Sequence, residues 1–115
     1  MSNDPNTRRV SERYLCDFTI WLTPEGGEFH GELMLVSLQN ISAGGLLCNL
    51  ECTLTMGQNV SLSISLPQWD NLVHVDGIVR HISETDDDYM IGIEFTEVKD
   101  IPPQAFRAYI EALFV

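Results

Sequence analysis

Three of the chain's six basic residues, Arg8, Arg9 and Arg13, fall within six consecutive positions, in a protein that carries 17 acidic residues and a net charge of −11. Guanidinium groups are planar and permanently charged. They fork onto phosphate oxygens, grip O6 and N7 of guanine, or stack on a purine face, and lysine cannot reproduce the planar contacts. Half the positive charge of an acidic chain gathered in one short segment is what a local anion site requires. A solvated N-terminal tail has the same appearance in sequence.

A second cluster is Asn40-Ile41-Ser42-Ala43-Gly44-Gly45. Asn and Ser are frequent in turns and paired glycines relax the backbone, so an ordinary turn accounts for the composition. The chemical reading is that Asn40 and Ser42, two apart on an extended chain, point to one face and present an amide beside a hydroxyl. Gly44 and Gly45 then give a ligand access to the backbone.

No reaction is suggested. The chain has no Gly-x-Ser-x-Gly elbow, no phosphate-binding Walker loop and no His-Glu-x-x-His pair. Asp86, Asp87 and Asp88 form a run that reads as a solvated loop, and His30, His74 and His81 lie in or beside predicted strands with no Ser or Cys partner. Cys16, Cys48 and Cys52 are odd in number and include no Cys-x-x-Cys, which fits small hydrophobes in a reducing compartment better than a disulfide or zinc site.

These residues must be positioned by strands. Tyr14, Cys16, Phe18, Ile20 and Leu22 alternate with polar residues, which predicts a half-buried strand. Pro24-Glu25-Gly26-Gly27 turns the chain into a second strand from Phe29 to Leu38. After Ser42–Gly45 a short strand follows around Leu46–Leu50. Val60–Leu66 alternates with three serines in the clearest strand pattern of the chain. Val73–Arg80 is a fifth strand, where Gly77 marks a bulge or a close backbone approach. Thr85–Asp88 reads as a hairpin tip leading to a sixth strand around Ile91–Phe95. Pro102-Pro103 then opens a helix whose apolar stripe is Phe106, Tyr109, Ile110 and Leu113. The expected fold is all-β: a six-stranded antiparallel barrel with one C-terminal α-helix, since closure hides the strand edges.

At 115 residues, 44% hydrophobic and 20% charged, the chain suits one globular domain. No apolar run approaches the roughly 20 residues of a membrane span, and residues 1–5 do not form a signal peptide, so the cytoplasm is the expected compartment. The acidic balance argues against DNA and against anionic membranes as partners.

Taken together, the two clusters resemble the PilZ domain family. Arg9-Val10-Ser11-Glu12-Arg13 is similar to its Arg-x-x-x-Arg signature, and Asn40–Gly45 to its Asp/Asn-x-Ser-x-x-Gly signature. Gly57 before Val60–Leu66, Gly77-Ile78-Val79 and Ile91-Gly92-Ile93-Glu94-Phe95 extend the resemblance from Arg8 to the terminal helix. Each short pattern arises easily by chance; the pair, in order and separated by one hairpin, is specific.

The resemblance implies a split-barrel PilZ-like fold, with residues 1–13 as a flexible arm carrying the arginines and residues 14–115 as the barrel domain. It implies a cyclic di-GMP receptor or adaptor that uses no cofactor, performs no catalysis and changes conformation on ligand binding to regulate a downstream protein partner. Arg8, Arg9, Arg13, Asn40, Ser42, Gly44 and Gly45 become the ligand-binding residues. Asn40 replaces the commoner Asp, which removes a negative charge from the neighbourhood of an anion. Arg8 is an extra cation, associated in the family with an intercalated pair of ligands. The alternative is a PilZ-like protein-interaction module that binds no nucleotide.

Overall fold

The computed structural model describes residues 18–66 and 72–112. Seven strands, β1 (Thr19–Pro24), β2 (Met34–Leu35), β3 (Ser37–Ile41), β4 (Gly45–Leu50), β5 (Asn59–Ser65), β6 (Leu72–Glu84) and β7 (Tyr89–Val98), precede the helix α1 (Pro103–Ala112). They form one antiparallel sheet in the order β2-β1-β5-β6-β7-β4-β3. The two ends of that order, β2 and β3, are separated in the chain by Val36 alone, so a single segment bridges both edges of the curled sheet.

The alternation expected from the sequence sets the faces. Ile20 and Leu22 of β1, Val60, Leu62 and Ile64 of β5, and Val73, Val75 and Val79 of β6 point inward and are buried. The serines of β5 and Trp21 and Thr23 of β1 lie on the other face. Among the described residues no polar or charged side chain is buried. The helix adds Phe106 and Ile110, one turn apart on its inner face, to this core. Phe106 meets Phe95 of β7 edge-on, with ring centroids 5.8 Å apart and planes at 70°. Helix packing against the sheet follows the predicted stripe, and Leu113, its last member, lies outside the described residues.

The expected second strand differs. Instead of running from Phe29 to Leu38, the chain makes successive turns in which Gly31 N donates to Pro24 O (3.0 Å) and Glu32 N to Phe29 O (3.1 Å). Gly31 adopts φ 81°, a left-handed conformation that ends any extended run. Two short strands then replace one: β2 pairs with β1, Val36 turns the corner with its N–H on Ile20 O (3.0 Å), and β3 pairs with β4. Among the described residues the count is therefore seven strands rather than six. Gly77 does sit at a register shift between β6 and β7, and a Cβ there would lie 2.6 Å from Ile93 Cγ2. Among the described residues no helix is long and apolar enough to cross a membrane.

Candidate functional site

The turn between β3 and β4 is held by its own polar atoms. Ser42 N donates to Gly45 O (2.8 Å), and the Ser42 hydroxyl accepts from Gly44 N (3.2 Å) while donating to Gly45 O (3.3 Å). Phe95 N donates to Gly44 O (2.8 Å), which fastens the turn to β7. The Asn40 Oδ1 accepts from Ile41 N (3.0 Å), so the amide is oriented and its Nδ2 has no partner among the described residues. One hydroxyl lone pair and the two N–H donors of the amide remain for a ligand.

A bulge aims Asn40. Leu38 pairs with Cys48 and Asn40 with Leu47, so Gln39 is an extra residue in β3. Val36 and Leu38 face the core, and strict alternation would carry Asn40 inward after them. The extra residue reverses the phase, so Ile41 is buried while Asn40 and Ser42 lie on the outer side.

Asn40, Ser42, Gly44 and Gly45 all line one shallow, open depression of about 400 Å³. Its charged lining residues are Arg80 and Glu94, and the backbone is bare again at Gly92. The two glycines of the turn are not equivalent. A Cβ on Gly45 would drive into the carbonyl oxygen of Ile93 on β7, whereas one on Gly44 would meet nothing within 4 Å. Gly45 thus has a packing reason of its own, and Gly44 leaves open space.

Arg80 lies at a second bulge, where Val79 pairs with Ile93 and His81 with Gly92. Its Nε donates to Glu94 Oε1 at 2.6 Å, with the two side chains 58% and 52% exposed. An ion pair that exposed is worth at most about 1 kcal/mol, so an incoming phosphate competes with Glu94 at little cost. Lys99 and Arg107 pair with Asp76 and Glu111 and do not line the depression, so Arg80 is its cation among the described residues. Sequence reading did not place Arg80, Glu94 or Gly92 at the site: Arg80 alternates with Val79 as an outer-face residue, and Gly92 and Glu94 entered only as part of the Ile91–Phe95 stretch of the resemblance.

Arg8, Arg9 and Arg13 lie outside the described residues, so their distance from the turn is not part of this geometry. The histidines each have a local partner. His30 Nδ1 accepts from Gly26 N (2.6 Å) and His74 Nδ1 meets Asp100 Oδ2 (2.6 Å). Contrary to the expectation that no histidine has a Ser partner, His81 Nε2 meets Ser83 Oγ (2.7 Å), a contact between exposed residues two apart on β6. The His74 backbone N–H and then its ring hold the Asp100 carboxyl below its usual range. The described side chains contain no group of three or more His, Cys, Asp or Glu placed to hold a metal. Burial pushes the Cys48 thiol up to about 12, which marks it as an inert core residue.

No curated protein matches the chain. Among solved structures, the Bacillus subtilis inhibitor of motility (MotI/DgrA) superimposes with a TM-score of 0.64 at 20% identity, covering 84% of this chain and 44% of that one. The chain therefore spans less than half the length of that protein. The PilZ domain with c-di-GMP of YcgR from Escherichia coli superimposes with a TM-score of 0.60 at 16% identity, covering 97% of this chain and 89% of that one. Identities this low speak for the fold. The family model of the PilZ domain matches residues 7–112, a span that takes in the arginine cluster, the Asn40–Gly45 turn, every strand and the helix, and the chain belongs to that family.

Proposed function

We propose that the chain is a cyclic di-GMP receptor that performs no chemistry and passes the ligand's presence to a partner protein. The observation that carries this reading is the convergence of Asn40, Ser42, Gly44 and Gly45 on one open depression that also holds Arg80. Within the family, the YcgR domain was solved with c-di-GMP, which makes that dianion the first candidate.

In this reading residues 1–13 form an arm and residues 14–115 the barrel domain. Arg9 and Arg13, with Arg8 beside them, supply guanidinium groups to the phosphodiesters and the guanine edges. Since the Asn40 Oδ1 is already used by Ile41 N–H, its Nδ2 donates to a phosphate oxygen or to guanine O6 or N7. An Asp at that position would offer acceptors only, so the Asn suits an acceptor-rich ligand. The Ser42 hydroxyl keeps one acceptor lone pair, and Gly44 leaves room over the turn. Charge-assisted hydrogen bonds contribute roughly 1.5–3 kcal/mol each, and three or four, less the cost of ordering the arm, reach the ~8 kcal/mol of a micromolar complex.

Isothermal titration calorimetry of the full chain with cyclic di-GMP tests the proposal. Saturable micromolar binding is expected, weakened about tenfold or more by Arg13→Ala and also reduced by Asn40→Ala. A flat titration of the folded protein, or an Arg13→Ala variant that binds as the parent does, refutes it. A stoichiometry near two ligands per chain is what an intercalated pair at Arg8 demands, and one ligand per chain removes that role.

A further inference from the structure

A second depression, of about 570 Å³, lies at the opposite end of the β3–β4 hairpin from the Asn40–Gly45 turn. Ser37 pairs with Asn49 at this end and Ile41 with Leu46 at the other, so these two ends of the hairpin are about 10–13 Å apart along the strands. Part of the wall is apolar, from Phe29, Met34, Leu35 and the Cys52 thiol, whose Sγ lies 3.7 Å from Met34 Sδ. Leu35 is 60% exposed and Leu33, two residues before it, 64%; of the described large hydrophobic side chains these two are the most exposed.

Every charged residue of the wall is acidic: Glu32, Glu51 and Asp88. Asp88 is fixed in place, since it accepts from Asn49 Nδ2 (3.0 Å) and from Thr85 Oγ1 (2.7 Å). Beneath it the Asn49 Oδ1 is buried with no donor among the described residues. The negative field converges on the groove: burial first, and then Glu32, Glu28 and Glu51, raise the Cys52 thiol above its usual 9.0. Two neighbouring exposed leucines beside three carboxylates, of which Asp88 is held in place, with no cation in the wall, define what fits by complementarity. Nucleic acid and anionic membranes are repelled.

We propose that this groove is a docking surface for a basic protein segment in which Arg or Lys alternate with aliphatic side chains. The aliphatic groups cover Leu33 and Leu35, and the cations meet Glu32, Glu51 and Asp88. The groove shares no lining residue with the nucleotide depression and stands whether or not that depression is occupied.

The test is an amide chemical-shift titration of the full chain with the synthetic peptide Gly-Arg-Leu-Leu-Arg-Lys-Leu-Gly. Shifts confined to residues 29–37, 49–52 and 88 are expected. Leu35→Ser and Glu51→Gln, both exposed and harmless to the core, should each weaken binding about fivefold while leaving cyclic di-GMP titrations unchanged. Equal binding of a peptide with Ser in place of Leu, or the same shifts from spermine, overturns the proposal, because charge alone then explains the attraction. Shifts spread to Asp86, Asp87 and Glu97 overturn it too. So do groove shifts that grow with protein concentration alone, which make a second copy of the chain the occupant.

Discussion

Gly44 and Gly45 are adjacent, both line the depression, and substitution of each by alanine should have opposite consequences. At Gly45 the new methyl points into the Ile93 carbonyl oxygen, which is backbone and cannot swing away as a side-chain tip would. Relief requires β4 and β7 to separate where Gly45 pairs with Glu94 and Phe95 N–H meets Gly44 O (2.8 Å). Losing one backbone hydrogen bond costs about 0.5–1.5 kcal/mol and forcing atoms into a packed site about 1–3, so Gly45→Ala should lose about 2–4 kcal/mol. For a chain of this size that is a fall of about 8–16 °C in Tm. At Gly44 the methyl meets nothing within 4 Å and φ is not left-handed, so the substitution restricts only the unfolded chain and should add about 0.4–1 kcal/mol. Thermal unfolding followed by circular dichroism reads both variants, and calorimetry with cyclic di-GMP then asks which glycine the ligand needs. Gly44→Ala should gain about 2–4 °C in Tm and bind more weakly, because the methyl projects into the space the turn leaves open. Equal Tm values for the two variants refute the packing argument. A Gly44→Ala protein that binds as tightly as the parent refutes the role given to that open space.

Replacing Glu94 by Gln removes the carboxylate that Arg80 engages, and should tighten cyclic di-GMP binding by up to about fivefold in calorimetry at low salt, with the gain shrinking at high salt; weaker binding would make Glu94 a ligand contact instead. Phe106→Ala empties a fully buried site against Phe95 and should cost about 3–5 kcal/mol in urea unfolding, while a loss under about 1 kcal/mol would show that the helix does not depend on it. Stability should also fall in alkali. The folded Cys48 thiol titrates at about 12 and the unfolded one at 9.0, so its contribution is complete below pH 9 and declines above it by about 1.4 kcal/mol per pH unit. Cys48→Ala should flatten that decline in urea titrations between pH 9 and 10.5, and an unchanged slope would assign it to other groups.

Where burial enforces a period of two, the strands were legible. The alternation of β5 and β6 predicts their inner faces residue by residue, because a one-residue slip would put serines or His74 into the core. The helix start at Pro103 and the inward stripe of Phe106 and Ile110 were legible for the same reason. The segment from Phe29 to Leu38 was not. Its composition is that of a strand, but Gly31 breaks it, and the corner at Val36 depends on β1 and β4 lying near opposite ends of the sheet, where β2 and β3 add to them as the edge strands. That is a tertiary requirement with no local mark.

The candidate site divides along the same line. Asn40, Ser42 and the glycines are conspicuous because their residue types are chosen for a turn and for polar contact. Arg80 and Glu94 are not, since a charged residue on an outer strand face is the commonest thing a sheet displays. Both polar arms of the depression depend on bulges, at Gln39 in β3 and at Arg80 in β6. A bulge adds one residue and inverts the inside–outside phase of all that follows, and pattern matching that assumes a fixed phase reads Asn40 as following Val36 and Leu38 into the core. Asn40 and Ser42 share a face in either phase, so their spacing alone was a sound argument for an amide beside a hydroxyl. Which side of the sheet that face belongs to was decided by Gln39, whose own side chain has no part in the site.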